Sequence, residues 1–333
     1  MNTPPADTLA IINPAAARSA LVWHGIKRTL ADQGIRIDEH TSRAPGDGAA
    51  HARAGLRSGY RTILAAGGDG TLSEIASGFF TRESDSHSAH NLTQVARDAA
   101  LAIIPSGTGD DFARSLAGGR APIRDWIERF IKHTRERNPR ATTRTLDVID
   151  GAARVPASSS ANRFVCINAA TLGVGAEVAA RVAAQGETLR RAKGEARFAL
   201  AALGALARWR ERRVRVSVDD APAFECRTNL IAVMNNPYAG GGMMFAPAAR
   251  PDDGELDVVT TDRLTRLVLV RELTRVHRGG HVANPSVKIT RGARVLVETE
   301  PEADPLSIEA DGDIRGITPV ELRIVPAALR VVV

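Results

Sequence analysis

The stretch ILAAGGDGTLSEI, Ile63 to Ile75, decides how this chain is read. Four apolar residues lead into Gly67-Gly68-Asp69-Gly70-Thr71, and a helix-period pattern follows. A strand that gives way to a helix through glycines lets backbone N–H groups approach phosphate oxygens without a Cβ in the way, with the positive end of the helix aimed at the same point. Thr71 with Glu74 three residues later matches a capping box, which predicts a helix starting just after the glycines. Asp69 is the unusual member: a carboxylate beside a phosphate repels it unless a cation such as Mg²⁺ bridges the two. Phosphate, metal and carboxylate are thus expected together, and a plain tight turn is the simpler alternative.

Outward from that loop, the first 150 residues alternate in a βα rhythm. Leu9 to Asn13, the segment IRIDEH, RTILAA and ALAIIP read as strands, and Ala15 to Gln33, Gly46 to Ser58 and the segment after Thr71 as helices; residues 81 to 91 form a polar loop rich in Ser and His. This order predicts a parallel sheet whose ligands bind at the carboxyl ends of the strands. A second loop, IIPSGTGDDFAR from Ile103 to Arg114, follows the next strand. There Gly107 and Gly109 are expected to expose amides, Ser106 and Thr108 to offer hydroxyls, and Asp110 or Asp111 to cap the following helix. Two such loops on neighbouring strand ends point to one nucleotide cleft, although neither has the Walker spacing and no protein-kinase H-R-D set occurs.

From about Leu146 the character changes to short β-branched segments separated by turn residues, among them TLDVIDG, RFVCINAA, RVRVSVDD, GELDVVTT and LSIEADGD, which predicts an antiparallel β domain. The organisation expected is an α/β nucleotide-binding domain over 1–146, completed by 317–333, and a β-sandwich domain over 147–316 with a basic helical insertion at about 178–213. A length of 333 residues exceeds what one core usually supports.

Charge narrows the partners. The net charge is +6, but between Arg181 and Arg215 ten basic residues stand against three acidic ones, flanking the apolar run FALAALGALARW from Phe198 to Trp209. That is the pattern of an interfacial segment facing anionic lipid, and equally of a core helix with solvated ends. Stacking aromatics do not interleave the basic residues, so a nucleic-acid partner is not expected. No run approaches the roughly 18 apolar residues of a spanning helix, and the start MNTPPADTLAIINP lacks a basic region followed by an apolar one. Cys166 and Cys226 lie in strand-like contexts and read as core thiols of a reducing compartment. A cytoplasmic protein peripheral to the inner membrane face is the expectation, and exposed strands of the β domain could pair two copies.

GGDGT, PSGTGDDFAR, NNPYAGGGMMFAPAARPDDGELDVV and EADGD, in that order, resemble the diacylglycerol kinase catalytic family, which includes bacterial lipid kinases and the sphingosine and ceramide kinases. The resemblance spans nearly the whole chain. It implies transfer of the γ-phosphate of ATP to a lipid hydroxyl, in a cleft between an α/β domain and a β-sandwich. Residue by residue, it implies a nucleotide site of Asn13, Thr41, Gly67, Gly68, Asp69, Gly70, Thr71, Ser106, Gly107, Thr108 and Asp110, with Asp69 near the metal. It implies Asp311 as general base, with Asp69 and Asp313 as the other catalytic acids and Asp313 also a metal-binding position, a structural Mg²⁺ at Asp253, and an acidic residue, Asp147, at the domain junction as a further metal position. By residue chemistry alone, Asp311-Gly312-Asp313 and Asp252-Asp253-Gly254 are also turn signals. Three positions depart from the family pattern: alanines in NPAAARSA, Asp110 in place of Asn, and Asp313 in place of Glu. The extra charge at Asp110 calls for compensation by metal or Arg114. NAD kinases share GGDGT, so a soluble dinucleotide kinase is one alternative, and a non-catalytic lipid- or nucleotide-binding regulator is another.

Overall fold

A computed structural model describes residues 7–14, 19–82, 92–156, 158, 160–183, 210–228, 230–300 and 305–333. The apolar run Phe198–Trp209, expected to be helical, most of the basic segment 181–215, Ala15–Arg18 of the early motif and most of the Ser/His-rich stretch lie outside these residues. The chain divides into two compact units, Met1–Val148 with Pro326–Val333, and Ile149–Val325.

The first unit is built on strands β1 (Thr8–Ile12), β2 (Asp38–Thr41), β3 (Thr62–Gly67) and β6 (Ala100–Pro105), with a small hairpin of β4 (Phe80–Arg82) and β5 (Leu92–Gln94). β1 pairs in parallel with β2 and β3, β3 with β6, and Val331 near the end of the last strand pairs in parallel with Leu101 of β6. β1, β3 and β6 are almost wholly buried, as strands covered on both faces must be, so they read as continuous apolar runs instead of alternating ones. Helices α1 (Ser19–Asp32), α2 (Asp47–Arg57), α3 (Asp69–Ser77), α4 (Asp111–Ala117) and α5 (Ile123–Arg135) supply the cover. α5 buries Trp126, Phe130 and His133, spaced at i, i+4 and i+7 on one face. The strand expected over IRIDEH forms only from Asp38, where its residues become partners of β1.

The second unit is antiparallel. β7 (Thr143–Arg154) enters it and pairs with β8 (Ala161–Cys166). β9 (Ala169–Gly173) leads into α6 (Val174–Ala183), followed by β10 (Arg212–Val218), β11 (Phe224–Thr228), β12 (Leu230–Met234), the short pair β13 (Tyr238–Ala239) and β14 (Met243–Met244), and β15 (Leu256–Thr261). After α7 (Arg266–Val276) come β16 (Val287–Gly292), β17 (Arg294–Thr299), β18 (Ser307–Ala310) and the long β19 (Asp313–Val332). β16-β15-β12-β9-β18-β19 are successive neighbours, while β10 bridges β11 and β17. Ile231 and Val233 of β12 join one apolar cluster and Ala232 and Met234 another, so alternate residues of one strand serve cores on its two faces. β10 and β11 alternate buried and exposed positions, as strands with one wet face do. The architecture is therefore a parallel-sheet α/β unit and an antiparallel β-sandwich-like unit.

Candidate active site

In the first unit the sheet registers bring the expected nucleotide residues to one edge. Ile12 lies opposite both Thr41 and Ala66, and Gly67 opposite Pro105, so Asn13, Thr41, Gly67–Thr71 and Ser106–Thr108 all follow or occupy carboxyl ends of parallel strands. Asn13 Nδ2 donates to Thr71 Oγ1 at 2.8 Å, tying the early motif to the glycine loop.

The capping-box expectation is corrected. α3 begins at Asp69 with Gly68 as its N-cap, so Thr71 lies inside the first turn. Its hydroxyl serves Asn13, and Glu74 Oε1 accepts from the N–H of Gly48 at the start of α2. Neighbouring elements have recruited both side chains that would have formed the box.

The glycines have a further purpose that phosphate chemistry alone does not reveal. A Cβ on Gly107 would stand 2.7 Å from Gly68 Cα, and one on Gly67 would strike the Thr71 side chain at 2.5 Å. Gly68 and Gly107 let the two loops meet backbone to backbone. The second loop is also less open than expected: the Gly107 N–H donates to Asp110 Oδ1 at 2.9 Å, and Asp110, at φ 52°, occupies the N-cap position of α4 without a side-chain capping bond. Arg114 Nε donates to the Gly109 carbonyl at 2.7 Å. Ser106 is buried with its hydroxyl on that of Ser19, whereas Thr108 is exposed. A pocket of about 360 Å³ borders this loop, lined by Ser106, Gly107, Asp110, Arg114, Arg120 and Trp126 among others. That volume is in the range of small-molecule sites.

Asp69 sits where these loops join. Burial, and then the neighbouring Asp111 carboxylate, push its carboxyl up to about 7, although Phe112 N–H donates to Oδ1 at 3.2 Å. A carboxyl held up by burial and by other carboxylates suits a site that gains a cation with its ligand. The surroundings of Asp69 thus fit a divalent metal.

In the second unit Asp311 and Gly312 form the two-residue turn between β18 and β19, with Ala310 opposite Asp313 and φ values of 49° and 97°. This is the Asp-Gly hairpin signal in its expected backbone region. The turn reading and the site reading meet in one residue, because the Asp311 side chain is buried and organises another segment. Oδ2 accepts from Ile167 N at 2.7 Å, and Oδ1 from Asn168 N at 3.1 Å, Ala169 N at 3.0 Å and Cys166 Sγ at 3.2 Å. The Asn235 and Asn236 amides of the NNPYAGGG motif donate to the Ile167 carbonyl at 2.9 and 3.0 Å, and Asn168 Nδ2 to the Tyr238 carbonyl. Burial and the Asp311 charge hold the Cys166 thiol protonated, well above its usual range.

Sequence reasoning passed over Glu309. It is half-buried, accepts from Thr171 Oγ1 at 2.7 Å and from the Gly312 N–H, and burial pushes its carboxyl up to about 7. Its alternation with Asp311 along EADGD was the available signal. Asp313 is exposed and accepts from Arg315 at 3.0 Å. Asp147 is buried, and Oδ1 accepts from Ala327 N at 2.7 Å.

The Asp253 position, where the resemblance implies a structural Mg²⁺, already holds a cation of the chain. Arg291, across the ladder from Asp257, places one guanidinium on Asp253, on Glu255 at 2.9 Å and near Asp257 at 3.6 Å. One positive charge thus faces three carboxylates, and Asp257 Oδ2 is buried without a hydrogen-bond partner. Asp257 is 3% exposed, and burial holds its carboxyl above the ordinary value despite the arginine.

Comparisons with known proteins agree with this picture. Residues 7–141 match the diacylglycerol kinase catalytic domain, and residues 170–333 the YegS C-terminal NAD kinase beta sandwich-like domain. A Pseudomonas aeruginosa protein named "Probable lipid kinase YegS-like" is 30% identical over 278 residues, covering 83% of this chain and 78% of that protein. A Mycobacterium tuberculosis protein named "Diacylglycerol kinase" is 27% identical over 334 residues, covering 97% of this chain and 93% of the other. Among solved structures, a diacylglycerol kinase from Bacillus anthracis superposes with a TM-score of 0.65 at 18% identity, over 99% of this chain and 97% of that one, which shows the shared fold. The chain belongs to the diacylglycerol kinase and YegS-like lipid kinase family. It is an enzyme of the kinase class.

Proposed function

We propose that this chain transfers the γ-phosphoryl group of Mg-ATP to the hydroxyl of a membrane lipid, either diacylglycerol or a ceramide or sphingoid lipid, at the inner face of the cytoplasmic membrane. The observation that carries the reading is the Asp69 loop. Glycine-permitted backbone contact, a helix N-terminus and a carboxyl raised to about 7 lie together at the carboxyl edge of a parallel sheet. Asn13, Thr41, Gly67–Thr71 and Ser106–Thr108 hold the nucleotide, and Asp69 holds the Mg²⁺ that neutralises phosphate charge. Asp311 takes the proton of the lipid hydroxyl as that oxygen bonds to phosphorus and the bond to the ADP oxygen breaks. The donors on Asp311 fix its carboxylate in position, and Glu309 stands two residues earlier, near the end of β18.

Phosphate transfer from labelled Mg-ATP to a panel of lipids in mixed micelles tests this, with Asp69→Ala and Asp311→Asn assayed well below their melting temperatures. Transfer to one lipid class that both variants lose supports the reading and names the acceptor. A wild-type chain that binds ATP and phosphorylates no lipid overturns it.

A further inference from the structure

Five large apolar side chains stand out as exposed among the described residues, and four of them, Leu267 (85%), Val270 (41%), Val282 (44%) and Ile289 (37%), fall in the single stretch from α7 to β16. α7 does not need its outer face for the core. Leu269, Glu272 and Val276 point inward at i, i+3 and i+7; Val268 and Leu273 pack against the apolar cluster that holds Leu269, and Val276 joins the other. Leu267, Val270, Arg271 and Thr274 then share the outer face, and the exposed Arg278 follows in the turn after the helix. The stretch is also one-sided in charge. Its only acid from Arg263 to Val297 is Glu272, which is buried and paired with Arg275 at 3.1 Å, whereas Arg263, Arg271, Arg278 and Lys288 are exposed.

Scattered apolar residues on a surface mean little, but apolar side chains gathered on a helix face among cations, with no exposed acid between them, match the interface of an anionic bilayer. We propose that the outer face of α7, with Val282 beside it, docks this protein on anionic phospholipid: Leu267 and Val270 enter the headgroup boundary while Arg263, Arg271 and Arg278 meet phosphate. This rests on the lipid-acceptor reading for its purpose. It places on α7 a contact that the sequence placed on the segment 181–215.

The test is sedimentation with sucrose-loaded vesicles, without ATP, comparing pure phosphatidylcholine with vesicles containing about 30% phosphatidylglycerol. Wild type should partition onto the anionic vesicles only, and Leu267→Ala/Val270→Ala and Arg271→Glu/Arg278→Glu should each weaken partitioning about tenfold or more, since each arginine near the surface contributes on the order of 1 kcal/mol. Both variants should keep the wild-type melting temperature, the altered groups being exposed. Phosphorylation of a monodisperse short-chain lipid should be unchanged while that of vesicle lipid falls. Partitioning that survives in both variants, a wild type that ignores anionic vesicles, or self-association through this face that Leu267→Ala abolishes would each overturn the assignment. A wild type that binds vesicles through α7 yet phosphorylates no lipid supports the surface and sinks only the function proposed above.

Discussion

Asp311→Asn is the conservative way to remove the carboxylate proposed above as general base, and it should cost stability as well as rate. The wild-type carboxylate accepts three backbone N–H groups and the Cys166 thiol from the turn Cys166–Ala169. An asparagine keeps one acceptor oxygen. If that oxygen stays at the Oδ1 position, it retains Asn168 and Ala169, and the new NH₂ then faces the Ile167 N–H that Oδ2 accepted at 2.7 Å. One charge-assisted hydrogen bond is lost, a buried donor is left unsatisfied, and the remaining bonds lose their charge. From about 1.5 to 3 kcal/mol for a bond to a charged group and about 1 to 3 for the orphaned donor, the expected loss is about 3 kcal/mol. For a unit of this size that is a fall of about 6–12 °C in melting temperature. Differential scanning calorimetry of the ligand-free protein reads it. Hydrogen exchange at Ile167, Asn168 and Ala169 should accelerate in the variant beyond the global change. A melting temperature within about 2 °C of wild type, with those amides still protected, would refute the reasoning and leave Asp311 with a role in chemistry alone.

Asp69 makes a prediction with the opposite sign. Its folded carboxyl, at about 7, lies above the ordinary 3.8, so the native state holds a proton that the unfolded chain has released between those values. Stability of the nucleotide-free protein should therefore decline as pH rises from about 4 to about 7, and Asp69→Asn should flatten that slope and raise the melting temperature near pH 8. Equal slopes in the two proteins would exclude Asp69 as the source. Arg291→Met strips the cation from Asp253, Glu255 and Asp257. Discounted because the arginine side chain is 42% exposed, the loss should be about 1–2 kcal/mol in chelator, partly restored by millimolar Mg²⁺; an unchanged melting curve would show that the ion pairs contribute nothing. Asp110→Asn keeps an acceptor for the Gly107 N–H and removes a negative charge from the phosphate loop, so KM for Mg-ATP should fall by about fivefold with kcat within about twofold. A KM that rises would mean the charge itself holds the metal.

The fold was legible where one element met one pattern. β1, β3 and β6 are buried on both faces, and their unbroken apolar runs announced a parallel sheet. GGDGT announced a strand end because glycines, an acid and a helix pattern meet there in sequence. Contacts between distant segments were not legible. The Thr71 hydroxyl belongs to Asn13, Glu74 to Gly48, and the Gly68–Gly107 approach joins loops some forty residues apart. Arg291 gave no local sign that it would neutralise PDDGELD, because its place is set by the β15–β16 register. Asp311 was ambiguous between turn and base for a physical reason: its backbone makes one turn while its side chain satisfies three amides of the segment running from β8 into β9.

The long strand β19 leaves the second unit at Val325, and residues from Pro326 onward rejoin the first, pairing Val331 with Leu101. Synthesis therefore cannot finish the nucleotide-binding unit first, although most of it is made first. Until Val331 leaves the ribosome, β6 lacks the partner it has at Leu101 and keeps an open sheet edge that invites wrong pairing. The β-sandwich-like unit has almost all of its sequence by then, so the unit encoded second is the one able to complete its core without waiting for the last few residues.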